Sequence, residues 1–282
     1  MKQIQCVGAG FDPSQSSCSN LKPKTFSWTT EPVDNQVLID NAILYANKIE
    51  RSSNQKSYGW VCESSAIVPQ LIDALKDFHE VIIEDGELEA IFTNDKTLLD
   101  LSDSFVYCST GSNLPWIPEE SWGMHEKLKL CSMVASPKVM CEGHQYRQEI
   151  ACKFKESIDL VGGACDSERI GISSNLNQTW NDKRSAIVPY MFSIVMENVS
   201  SPYYFTEKLT DCFVTGTIPV YWGATDLGEY FDERGIIKLT DDFDINQLSP
   251  ELYQDMIPYA EKNYDVMKSL EMADDELANK IL

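Results

Sequence analysis

YMFSIVMENVSSPYYFTEKLTDCFVTGTIPVYWG, residues 190–223, decides how the rest of this chain is read. MFSIVM is a continuous apolar run of the kind that fills a buried strand. It ends at Glu197 and Asn198 and gives way to a turn carrying Ser200, Ser201 and Pro202. A helix follows, with Thr206 as its expected cap, and stops at Gly216; a second strand then stops at Gly223. A helix start that closely follows a buried strand offers unpaired N–H groups and partial positive charge, which suit phosphate. Lys208 adds a full positive charge at that end. Its neighbour Glu207 cannot usefully face a phosphate, and a ribose diol is its natural partner. Alone, a Glu–Lys pair in a first helical turn is commonly a solvated surface pair.

Outward from this segment, short apolar runs alternate with helical patterns, the signature of an α/β protein with parallel sheets. Toward the N-terminus, strands are expected at Ile4–Val7, Tyr58–Val61, Val81–Ile83, Ala90–Phe92 and Phe105–Tyr107. Helices are expected at Val37–Ile49, at Ile67–Phe78 and briefly after Asp95. Gly111–Lys127 breaks the rhythm with two prolines and two tryptophans, and reads as a packed connection. The pattern restarts with strands at Leu128–Val134, Asp159–Val161, Ile218–Trp222 and Ile236–Leu239. Helices are expected at Gln145–Lys155, Ile245–Asn263 and Asp265–Leu282. Two α/β lobes follow, residues 1–125 and 126–282, with ligands at the carboxyl ends of their strands.

The 282 residues are 43% hydrophobic, enough for a substantial core, and carry a formal charge of −21. That balance opposes non-specific binding to nucleic acid or to an anionic membrane. No apolar stretch approaches the roughly 18 residues of a membrane span, and the N-terminal MKQIQCVGAGFDPS lacks the apolar run of a signal peptide. The nine cysteines are irregularly spaced without C-x-x-C, so most are expected to be reduced and buried, in a cytoplasmic protein.

The central segment closely resembles the donor-binding motif of the α-1,3-fucosyltransferases, glycosyltransferase family 10. The residues that carry the likeness are Phe192, Glu197, Asn198, Tyr204, Phe205, Thr206, Glu207, Lys208, Gly216, Ile218, Pro219, Val220 and Gly223. The likeness implies a GT-B-like fold of two Rossmann-like lobes facing a cleft. It also implies GDP-fucose as donor, inverting transfer to a hydroxyl of a glycan acceptor, and no required metal or cofactor. Ser132–Phe154 resembles the family's strand–loop–helix segment, which carries Arg147 over as a diphosphate ligand; guanidinium suits phosphate oxygens. Tyr58–Ile67 resembles the family's strand ending in E-S-x-x, which makes Glu63 the candidate general base. Asn198, Tyr204, Glu207 and Lys208 join Arg147 as donor-binding candidates, and His144 and Glu197 stand as further ones.

Two alternatives stay open: a related transferase with another nucleotide sugar, and a non-catalytic nucleotide-sugar-binding protein. His79 and His125 are expected to be structural. Asp242-Phe243-Asp244 is formally a D-x-D, but capping and helix-start charge account for it. Asn177-Gln178-Thr179 is a formal glycosylation sequon.

Overall fold

The computed structural model describes residues 1–8, 16–18, 21–167 and 183–282; the Asn177 sequon lies outside them. These residues form two α/β units. The first comprises residues 1–113, 202–204 and 271–282; the second comprises 114–201 and 205–270. The lobes expected at 1–125 and 126–282 differ from these units at 114–125, 202–204 and 271–282.

The first unit is a six-stranded parallel sheet in the order β2-β1-β3-β4-β5-β6. Its strands are β1 Lys2–Val7, β2 Phe26–Thr29, β3 Asn35–Ile39, β4 Lys56–Trp60, β5 Leu88–Thr93 and β6 Phe105–Tyr107. Side chains alternate between its faces, as a pleated strand requires. Val37 and Ile39 join Trp28 and Trp60 in one core layer, while Leu38 joins Leu71, Leu75 and Ile91 in the other. The second layer is covered by helix α1, Pro69–Asp85. The short helix expected after Asp95 is α2, Lys96–Leu99, capped by the Asp95 side chain.

Two local expectations are corrected, and one strand was not expected. Val37–Ile49 is not one helix: it divides into β3 and a 3₁₀ segment, Asp40–Lys48. Val81–Ile83 is not a strand but the last part of α1; short apolar runs fit either element. β2 had no counterpart in the sequence reading.

The second unit is a five-stranded parallel sheet in the order β11-β10-β9-β7-β8. Its strands are β7 Lys129–Val134, β8 Asp159–Val161, β9 Tyr190–Met196, β10 Ile218–Trp222 and β11 Ile237–Lys238. Helices α3, Glu142–Phe154, and α4, Glu207–Thr215, follow β7 and β9. Helix α5, Pro250–Met267, supplies Tyr253, Met256 and Ala260 to the core around Phe192, Ile194 and Val220. The Gly111–Lys127 connection is packed: the Trp116 and Ile117 N–H groups both donate to Asp211 of α4.

The closing helix α6, Ala273–Ile281, buries Ala273, Leu277 and Ala278 against the Trp28–Trp60 layer of the first unit. Its buried Asp274 accepts hydrogen bonds from the Ser17 N–H and the Trp28 indole. Asp275 accepts from the Lys24 and Thr25 N–H groups. These side chains settle which unit owns the helix, and no hydrophobic periodicity announces them.

Cys152 and Cys165 form a disulfide, and the other seven cysteines are buried. No helix among those residues is long and apolar enough to cross a membrane.

Candidate functional site

In the second unit the chain leaves β7 for β8 on one side and returns to β9 on the other. The strand order therefore reverses between β7 and β9, and a ligand crevice is expected outside their carboxyl ends. Most of the sequence-nominated residues of this unit stand there.

Glu197, the first residue beyond β9, is fully buried. Its carboxylate accepts from the Thr206 N–H at 2.9 Å and the Thr206 hydroxyl at 2.8–3.0 Å. Thr206 caps α4, accepting from the Lys208 N–H. The N-terminus of α4 thus already holds an anion supplied by the protein, which satisfies its positive end. The Lys208 ammonium lies 2.9 Å from the Thr206 hydroxyl, 3.3 Å from Glu197 and 3.6 Å from Glu207.

Glu207 is 6% exposed. Burial alone would raise its carboxyl, but Lys208 and Lys183 outweigh that and hold it below its ordinary value. Lys183 sits 3.5 Å from Glu207 and ion-pairs with Asp211, one helical turn further along the same face. The carboxylate that the sequence aimed at a ribose diol is therefore engaged by two lysines. Lys183 itself had no signal in the sequence, because its partners lie 24 and 28 positions away and no periodicity links them.

Arg147, on α3, is 7% exposed. Its Nη2 donates to the carbonyls of Met196 at 2.6 Å and Glu197 at 3.2 Å, and to Asn198 Oδ1 at 3.3 Å. The guanidinium clamps α3 onto the end of β9 and brings Asn198 into the same cluster. Gly143 is what permits the approach: a Cβ there would collide with the Asn198 carbonyl.

The sequence reading began this helix at Gln145, whereas α3 starts at Glu142. His144 therefore belongs to its first turn. Cys141, at the N-cap position, makes no side-chain capping bond. His144 is 4% exposed, and its Nδ1 has no hydrogen-bond partner among the described residues. Burial lowers its pKa, and Arg147, Lys138 and Lys208 lower it further, while Asn198 acts in the opposite sense.

In the first unit Glu63 is exposed and follows the carboxyl end of β4. Asp40 lies within the stretch Val37–Ile49 that was expected to be a helix. Asp40 is the residue after β3, in the left-handed region at φ 48°, where a non-glycine residue is strained. Its Oδ1 accepts from the Cys62 N–H at 2.8 Å and the Glu63 N–H at 3.1 Å. Burial pushes its carboxyl up to about 6, against the pull of those two hydrogen bonds. Asp40 therefore fixes the backbone that presents Glu63.

The remaining nominees are placed as follows. Tyr204 is buried and groups with the first unit. His79 and His125 make ring contacts to the backbone carbonyls of Leu75 and Ser121, four residues earlier in each case. Asp244 caps the 3₁₀ turn Ile245–Gln247, and Phe243 is buried. No group of three or more His, Cys, Asp or Glu able to hold a metal ion occurs among the described residues.

The family model described as glycosyltransferase family 10 (fucosyltransferase), C-terminal, matches residues 124–264. Over 70 residues the chain is 27% identical to alpha-(1,3)-fucosyltransferase FucT of Helicobacter pylori, covering 25% of this chain and 15% of that protein. Over 96 residues it is 27% identical to putative fucosyltransferase R654 of Acanthamoeba polyphaga mimivirus, covering 33% and 16%. The matched stretches thus span only a small part of these relatives' length. Among solved structures, an alpha1,3-fucosyltransferase with GDP aligns at a TM-score of 0.50 and 14% identity, over 97% of this chain and 92% of that one. TarM aligns at a TM-score of 0.52 and 9% identity, over 88% and 54%. At these identities the likeness is one of fold, and the fold is of the GT-B type.

Proposed function

This chain belongs to glycosyltransferase family 10, and from that premise we propose that it moves fucose from GDP-fucose to a hydroxyl of a glycan acceptor, with inversion. The observation that carries the proposal is the gathering of Arg147, Asn198, Lys208 and the start of α3 at the strand reversal between β7 and β9. Such a crevice, rich in donors and flanked by a helix N-terminus, suits the diphosphate of a nucleotide sugar. A family-fold relative is solved with GDP, which supports the same class of donor.

In the proposed reaction the acceptor oxygen attacks the anomeric carbon as the bond from that carbon to the β-phosphate oxygen breaks. Glu63 takes the acceptor proton, and GDP leaves carrying the electron pair of the broken bond. Negative charge grows on the diphosphate as it departs. Arg147 and Lys208 stabilise that growth by placement, a contribution preorganised before the reaction begins. Glu197 and Glu207 hold Lys208 in position, and Asn198 lies within reach of both Arg147 and His144. Asp40 keeps Glu63 at the end of β4.

The test is release of GDP from GDP-fucose in the presence of an acceptor panel, with Glu63→Gln beside the wild type. The proposal expects the variant to bind GDP normally and lose at least 100-fold in turnover, the usual scale of general-base catalysis. Equal rates in variant and wild type remove Glu63 from the mechanism. GDP binding without turnover on any acceptor favours the binding-protein reading, and tighter binding of another nucleotide sugar favours a different donor.

A further inference from the structure

Two helices begin at the candidate crevice, and their first turns differ in a way that bears on where a phosphate can sit. The start of α4 is closed: Thr206 caps it, and the Glu197 carboxylate accepts the Thr206 N–H and hydroxyl. A second anion there would meet a buried carboxylate at hydrogen-bond range of the same donors. The start of α3 carries no side-chain cap. Its third residue, His144, is 4% exposed, yet its Nδ1 has no hydrogen-bond partner among the described residues. A buried polar atom left unsatisfied is costly and calls for an explanation. Gly143 brings this turn against the Asn198 carbonyl, and Arg147 fastens it to the end of β9.

We propose that a phosphate group of the bound nucleotide docks at the first turn of α3, where the His144 imidazole donates to it from Nδ1 and is held as the imidazolium while the phosphate is present. The inference rests on the nucleotide-sugar reading above and moves the phosphate seat from α4, which the sequence had favoured, to α3. Three cations face His144 from three elements: Arg147 on α3 itself, Lys138 in the loop after β7, and Lys208 on α4. Asn198, beyond β9, faces it as a neutral hydrogen-bonding partner. Without ligand those cations oppose a further positive charge on the ring. A diphosphate reverses the local balance, so docking and proton uptake are coupled. Lys208 remains a ligand from the opposite helix, so the two helices divide the work, one by its backbone and imidazole and the other by its ammonium.

The experiment is calorimetric titration of the full chain with GDP and with guanosine, near neutral pH, in two buffers of different ionisation enthalpy. Wild type, His144→Asn and His144→Gln are compared. The proposal expects both variants to lose about 10- to 100-fold in GDP affinity, the worth of a charged hydrogen bond, with guanosine affinity unchanged. It also expects the wild type to take up a fraction of a proton per GDP that both variants lack. Retained guanosine binding reports that the variants are folded. If GDP binds and neither its affinity nor its proton uptake depends on residue 144, the α3 seat is wrong and the nucleotide-sugar reading survives. If GDP does not bind the wild type at all, both fall.

Discussion

Replacing Lys208 with methionine keeps the length of the side chain and removes its charge, which makes it the sharpest probe of the crevice. Two effects of different origin are expected. The first is on the fold. The ammonium is 3.3 Å from the fully buried Glu197 and 3.6 Å from Glu207. Glu207 keeps Lys183, but Glu197 is left with the N–H and hydroxyl of Thr206. Breaking a fully buried pair costs about 3–5 kcal/mol. The Lys208 side chain is 27% exposed, so water screens part of that and about 1–3 kcal/mol is the reasonable range. The second effect is on ligand binding: a charged hydrogen bond to phosphate contributes about 1.5–3 kcal/mol, or roughly 10- to 150-fold in affinity. Urea denaturation measures the first effect, and calorimetry with GDP and guanosine isolates the second. Guanosine lacks the phosphates, so its affinity should be unchanged while that of GDP falls. Parallel losses for both ligands would mean that Lys208 supports only the fold. Unchanged GDP affinity would refute its placement on the diphosphate.

Three further outcomes are expected. Gly143→Ala drives a Cβ into the Asn198 carbonyl and should cost about 1–3 kcal/mol with a loss of GDP binding; Gly228→Ala, which meets only the end of the Glu233 side chain, should be neutral in both assays. Asp40 has its folded pKa raised from 3.8 to about 6, so the folded state binds its proton more tightly than the unfolded chain. The resulting penalty is absent below pH 4 and grows as pH rises to 6. Asp40→Asn should therefore gain on the wild type by up to about 3 kcal/mol between pH 4 and pH 7 in urea midpoints, and a pH-independent difference rejects that assignment. The Cys152–Cys165 disulfide closes a loop with a sequence separation of 13; a reductant should lower stability by about 3 kcal/mol, and an unchanged denaturation curve counts against the bond.

The amino-acid sequence alone determined the alternation of strands and helices, and it placed β6, β8 and β10 at their observed bounds. Each is a short apolar run marked off by turn residues, a local signal. It also placed Thr206, Glu207 and Lys208 together, because three consecutive residues at one helix start are neighbours in any fold. Where the local signal is shared, the sequence was ambiguous: VII at 81–83 suits a strand or a helix end, and the run before Asp40 suits either as well. Only the tertiary structure decided what the charges do. Glu207 became the anchor of two lysines because Lys183 comes to it from 24 positions away. The seat of α4 was filled by Glu197, across a nine-residue separation that a turn had to close. His144 was left buried, its Nδ1 without a hydrogen-bond partner among the described residues, because Gly143 and Arg147 draw α3 against β9. Burial and charge pairing depend on distance in space, and no pattern of spacing along the chain encodes them.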